Sequence, residues 1–81
     1  MMKVMSGTTR KKSDEVMKKA KEYFGSFGLE VNSETPGCCL ELTSELGFVT
    51  VEVFEDDNLN EVKLTTREFE RQIEEFLAKK L

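Results

Sequence analysis

The sequence predicts an α+β domain of the form α-β-β-β(-β)-α, with two helices packed on one face of an antiparallel three- to four-stranded sheet. Three observations carry this. Apolar residues recur at spacings of three and four near both ends of the chain, they alternate with polar ones in the middle, and turn residues separate the alternating runs. Each strand then has one apolar face and each helix one apolar stripe, and stacking both helices on the same side of the sheet buries them all.

The first helix is predicted over about residues 13–26. Ser13 is placed as its N-cap, and Asp14 and Glu15 occupy the first turn, where the helix dipole favours anions. Val16, Ala20, Phe24 and Phe27 form its apolar stripe, with Met17 and Tyr23 beside it, and Gly28 stands where a left-handed residue closes a helix. Leu29 and Val31 mark a short strand ended by Thr35-Pro36-Gly37. In CCLELT, Cys38, Leu40 and Leu42 share one face, with Cys39, Glu41 and Thr43 on the other. Ser44-Glu45-Leu46-Gly47 is a hairpin turn leading into FVTVEVF, where Val49, Val51 and Val53 point inward and Phe48, Thr50, Glu52 and Phe54 outward. Val62 and Leu64 form a fourth strand or an extended lead-in to the second helix. That helix is predicted from the capping box Thr65-Thr66-Arg67-Glu68, with Phe69, Ile73, Phe76 and Leu77 as its stripe. Residues 1–12 are expected to be a mobile basic tail ahead of a single domain spanning 13–81.

Composition narrows the chemistry. Eighty-one residues make one small domain, and no run approaches the ~20 apolar residues of a membrane span, so the cytosol is the expected compartment. The N-terminal run is too short and too interrupted for a signal-peptide core. The chain has no histidine and only two cysteines, adjacent at 38 and 39. A tetrahedral zinc site cannot be completed, and neighbouring cysteines on a strand point apart, which disfavours a bridge between them. No nucleophile–base pair or cofactor motif is present, so the expectation is a non-enzymatic protein.

Charge is segregated. Residues 1–21 carry seven bases against two acids, while from Glu22 to Val62 there are ten acids and no Lys or Arg. FEDDNLNE gathers the acids most densely. Pairing Val53 with Val62 and Val51 with Leu64 sets Phe54 across from Glu61 and centres a hairpin turn on Asp57-Asn58. Glu55, Asp56, Asp57, Asn58, Asn60 and Glu61 then crowd one tip, and carboxylate and amide oxygens are the ligands Ca²⁺ prefers. The tip has two readings. One is a weak divalent-cation site, Ca²⁺ favoured; the other is a hydrated turn rich in Asp and Asn because these residues tolerate turn geometry.

Asp56-x-Asn58-x-Asn60 resembles the first half of an EF-hand loop, but Glu61 stands where that loop has Gly and Arg67 where it has its bidentate Glu. The expected order of a helix, three strands and a helix resembles the double-stranded-RNA-binding domain in topology, without its lysine cluster at the start of the second helix. The net charge of −4 and an acidic sheet disfavour nucleic acid as a partner. In CCLEL, TVEVFEDDN and TTREFERQIEEF, and in general form over residues 13–81, the chain resembles the short uncharacterised α+β proteins of methanogenic archaea. That resemblance implies a cytoplasmic archaeal protein and supplies no catalytic residues.

A second class of function follows from the open sheet face. Phe48 and Phe54 are expected to point outward beside Glu41, Glu52, Thr50 and Cys39, where they would anchor a partner protein or a second copy in a weak homodimer, unless the N-terminal residues Met1, Met2, Val4 and Met5 cover them. The basic first helix, with Lys18, Lys19 and Lys21, is the alternative contact surface. Cys39 is expected exposed and Cys38 buried, with Glu41 and Glu52 disfavouring a thiolate.

Overall fold

A computed structural model describes residues 2–81. The elements run β1 (Lys3–Thr9), α1 (Ser13–Gly25), β2 (Glu30–Thr35), β3 (Cys39–Thr43), β4 (Phe48–Phe54), β5 (Asn60–Arg67), α2 (Glu70–Glu75) and a closing π-helical turn (Phe76–Lys80). The strands form one antiparallel sheet in the order β1-β5-β4-β3-β2. The α+β class, with two helical segments beside an antiparallel sheet, agrees with expectation, while the strand count and the order of elements differ.

The largest difference lies at the N-terminus. Residues 3–9 form an edge strand paired along its whole length with β5, not a tail. Its alternation was hidden because Met5 is its only long apolar side chain facing the core, with Lys3, Gly7 and Thr9 at the other inward positions. The second difference lies at the second helix. The chain stays extended through Arg67, where Thr66 and Arg67 pair with Val49 and Phe48, and helical structure begins only at Glu70. Thr66 is fully buried; its hydroxyl donates to the Phe48 carbonyl oxygen (2.6 Å) and accepts the Phe69 N–H (3.3 Å). The capping chemistry expected of Thr65 is thus performed one residue later, from a strand.

In the first helix, Lys12 takes the N-cap position and Ser13 is the first helical residue. Gly28, at φ +89°, closes the helix as expected, and the Leu29 N–H bonds back to the Phe24 carbonyl oxygen (3.3 Å) in a Schellman-type ending. Because α1 stops at Gly25, Phe27 leaves the stripe and is 45% exposed, stacked edge-on against Tyr23. Val31, too, is exposed on the outermost strand.

The core lies between the sheet and the two helices. Leu40, Leu42, Val49, Val51, Val53, Val62 and Leu64 meet Val16, Met17, Ala20 and Phe24 from α1 and Phe69, Ile73 and Phe76 from the second helical segment. Phe24 and Phe76, with ring centroids 5.2 Å apart, join the two helices, and Tyr23 leans on both rings. Two ion pairs tie the helices to the sheet edges, Lys3–Glu74 to β1 and Lys21–Glu34 to β2. Among the described residues no helix is long and apolar enough to cross a membrane.

Candidate functional site

The register of β4 and β5 is the one the hydrophobic pattern demands: Val53 pairs with Val62, Val51 with Leu64 and Phe54 with Glu61. A one-residue slip would turn every valine outward. The tip closes through a bond from the Leu59 N–H to the Asp56 carbonyl oxygen (2.9 Å), with Asp57 in the left-handed region at φ +49°. Glu55, Asp56, Asp57 and Asn58 are all exposed there.

Two of the six expected ligands stand apart from that cluster. Asn60 is buried, its Oδ1 accepting the Asp56 N–H (3.3 Å) and its Nδ2 donating to the Lys11 carbonyl oxygen (2.9 Å). It pairs across the sheet with Thr9, whose hydroxyl accepts the Lys11 N–H (3.1 Å). Asn60 therefore braces the hairpin against the β1–α1 turn, with both the oxygen and the nitrogen of its amide hydrogen-bonded. Glu61 is exposed on the strand opposite Phe54, not in the turn. Among the described residues, no group of three or more His, Cys, Asp or Glu side chains is disposed to hold a metal ion. A buried asparagine at this position has no signature in the sequence, because its partners come from residue 11 and from its own turn.

The second expected site is assembled more fully. Both helices lie on one side of the sheet, and the other side is open across all five strands. Cross-strand registers place Val4, Thr65, Thr50 and Glu41 in one row of that face, Ser6, Lys63, Glu52 and Cys39 in the next, and Thr8, Glu61 and Phe54 in a third. Phe48 is half-buried: the Arg67 guanidinium carbon stands 5.9 Å from its ring centroid, in cation–π range. Phe54 has no such cover and is 48% exposed. Met2 and Val4 are also exposed, Val4 on the open face itself, so they extend that face rather than cover it; Met1 lies outside the described residues.

Glu52 lies two residues before Phe54 on the same face, Glu61 lies across from it, and Glu55 and Asp56 follow it. The free aromatic ring is thus rimmed by acids, with Lys63 the nearest base on the face. Glu41 accepts a hydrogen bond from Asn32 Nδ2 (2.7 Å), which fixes it at the β2–β3 side. Of the basic residues in the first 21 positions, Lys21 pairs with Glu34 and Lys3 with Glu74, Arg10 and Lys11 sit in the turn before α1, and Lys18 is exposed on α1 with Lys19 half-buried beside it.

Cys38 and Cys39 are joined by a disulfide, and both are half-buried, against the expectation of one buried and one exposed thiol. Cys38 lies in the turn ahead of β3, where strand alternation no longer governs its side chain; its N–H bonds to the Thr35 carbonyl oxygen (3.0 Å). Burial and the hydrogen bond from its hydroxyl to Glu75 (2.6 Å) push the Tyr23 phenol up to about 12. That pairing joins the helices on the covered side and is remote from the open face.

Compared with known protein families, curated proteins and solved structures, the chain matches none.

Proposed function

We propose that this protein is a non-enzymatic interaction domain that presents the open face of its sheet to a basic protein segment carrying an apolar anchor. The single observation behind this reading is the exposed, acid-rimmed Phe54. An uncovered aromatic supplies apolar contact area, and Glu52, Glu61, Glu55 and Asp56 around it select lysine and arginine over acidic sequences. The acidic hairpin is then the rim of a protein-binding surface, and its carboxylates work by steering a cationic partner. The divalent-cation reading rests on the four exposed residues from Glu55 to Asn58, while the amide of Asn60 is hydrogen-bonded to Asp56 and Lys11.

Two synthetic peptides with the same apolar spacing, one lysine-rich and one glutamate-rich, test the proposal by amide chemical-shift mapping. The lysine-rich peptide is expected to shift residues of β3, β4 and β5 around Phe54, with the effect reduced by Phe54→Ser and by Glu61→Lys. Equal response to both peptides, or shifts confined to α1, would rule the reading out.

A further inference from the structure

The sheet ends in two edge strands that are built differently. β2 is interrupted by a register shift between Val31 and Ser33, carries Glu30 and Glu34, and is followed by Pro36. Bulges, charges and proline are the devices by which sheets refuse a further strand. β1 has none of these except one charge. Its seven residues pair with β5 without a shift, it contains no acid and no proline, and its lysine is engaged by Glu74. Among the described residues, no strand pairs with its outer edge.

We infer that β1 is the surface through which two copies of this chain associate, edge to edge and antiparallel, into one continuous sheet. The occupant is a second copy because the strand complements itself. In the register that pairs both strands over their full length, Ser6 meets Ser6 of the second copy, Met5 meets its Gly7, Val4 meets its Thr8 and Lys3 meets its Thr9. No like charges face one another along the pair. Met5 is half-buried within one chain, and Gly7 opposite it has no side chain to obstruct it. A Cβ at Gly7 would lie 3.2 Å from Leu77 of its own chain, so that position admits little more than the glycine.

The flanks are complementary as well. The Lys3 end of the strand lies beside Glu70 and Glu74, while the Thr9 end leads into Arg10 and Lys11. Antiparallel association brings the end of each copy that carries Glu70 to the end of the other that carries Arg10 and Lys11, twice over by symmetry. Facing residues on such strands project to the same side, so the two open faces form one larger surface. The inference rests on the strand edge and stands whether or not the open face binds a basic segment.

Sedimentation equilibrium over a concentration series tests it, comparing the unmodified protein with Ser6→Arg on β1 and Ser33→Arg on β2. Two arginines facing each other at the centre of the pair are expected to weaken the dimer by about tenfold or more, while Ser33→Arg leaves it unchanged. A protein that stays monomeric at millimolar concentration, or a dimer indifferent to Ser6→Arg, overturns the inference. Should Ser6→Arg not fold, Ser6→Cys and Ser33→Cys, each combined with Cys38→Ser and Cys39→Ser, decide the matter under mild oxidation. Facing residues of an antiparallel pair have Cα atoms about 4.5–5.5 Å apart, within disulfide reach. An interchain disulfide with Ser6→Cys and none with Ser33→Cys supports the inference, and the reverse or equal yields refute it.

Discussion

Thr66 holds together three parts of the molecule with one hydroxyl. It donates to the Phe48 carbonyl oxygen in β4, accepts the N–H of Phe69 at the start of α2, and is itself the last buried residue of β5. Thr66→Val preserves shape and removes both bonds, taking a partner from the Phe48 carbonyl oxygen and from the Phe69 N–H. The expected loss is about 1–3 kcal/mol of stability, read by urea denaturation. Tyr23 contributes in a pH-dependent way. Its folded pKa is raised to about 12, first by burial and then by the bond to Glu75, from an ordinary value near 10. The folded state therefore holds the phenolic proton more tightly than the unfolded chain does. Its contribution is fully present below pH ~10 and is lost as pH rises through ~12. Ultraviolet titration of the single tyrosine should give a midpoint near the upper value, and Glu75→Gln should lower it. Tyr23→Phe should flatten the fall in stability across that alkaline window.

Among the elements, β1 sets the clearest test. A tail can be deleted at little cost, but removing residues 2–8 would strip β5 of one of its two partner strands and expose the side of Leu64 and Val62 that Met5 helps to cover. Deletion is expected to abolish cooperative thermal unfolding or to lower Tm by well over ten degrees, since about 1 kcal/mol corresponds to some 4–8 °C in a domain this small. Retention of the full-length Tm would mean that β1 does not form. The β4–β5 hairpin supplies a second test. Asn60→Ala removes two hydrogen bonds from a buried position and should cost about 1–3 kcal/mol. Ca²⁺ titration followed by amide shifts should move residues 55–58 without saturation in both proteins, because the buried amide takes no part. A saturable response lost in Asn60→Ala would support the cation reading with Asn60 as a ligand.

At the scale of the whole molecule, stability depends on a small aromatic junction. Phe76 is fully buried, its ring against Phe24 from α1 and near Tyr23, and it is the point where the helices covering the two halves of the sheet meet. Phe76→Ala should cost about 3–5 kcal/mol, a large fraction of the ~5–15 kcal/mol typical of a domain, and leave much of the population unfolded at 37 °C. Phe54→Ser, at an exposed position on the opposite side of the sheet, should change stability by no more than about 0.5 kcal/mol. That contrast separates the residues that hold the fold from those free to bind.

The parts of the fold governed by local periodicity are legible in the residues alone. The start and stop of α1, the β3–β4 hairpin with its Ser44–Gly47 turn, and the β4–β5 register all follow from spacings of three to four, of two, and from turn residues. Local periodicity also places Phe54, Glu52 and Glu61 on one face, since alternation along a strand is fixed by backbone geometry. The rest depends on contacts that are distant in the chain. β1 exists because β5 lies some sixty residues away to pair with it, and its own residues alternate too weakly to announce it. The second helix starts late because β4 holds Thr66 and Arg67 in the sheet against their capping-box pattern. Asn60 braces the hairpin because the Lys11 carbonyl arrives beside it from the turn after β1. Long-range pairing overrides local preference wherever burying and satisfying backbone groups is worth more than the few tenths to one kcal/mol that separate local conformations.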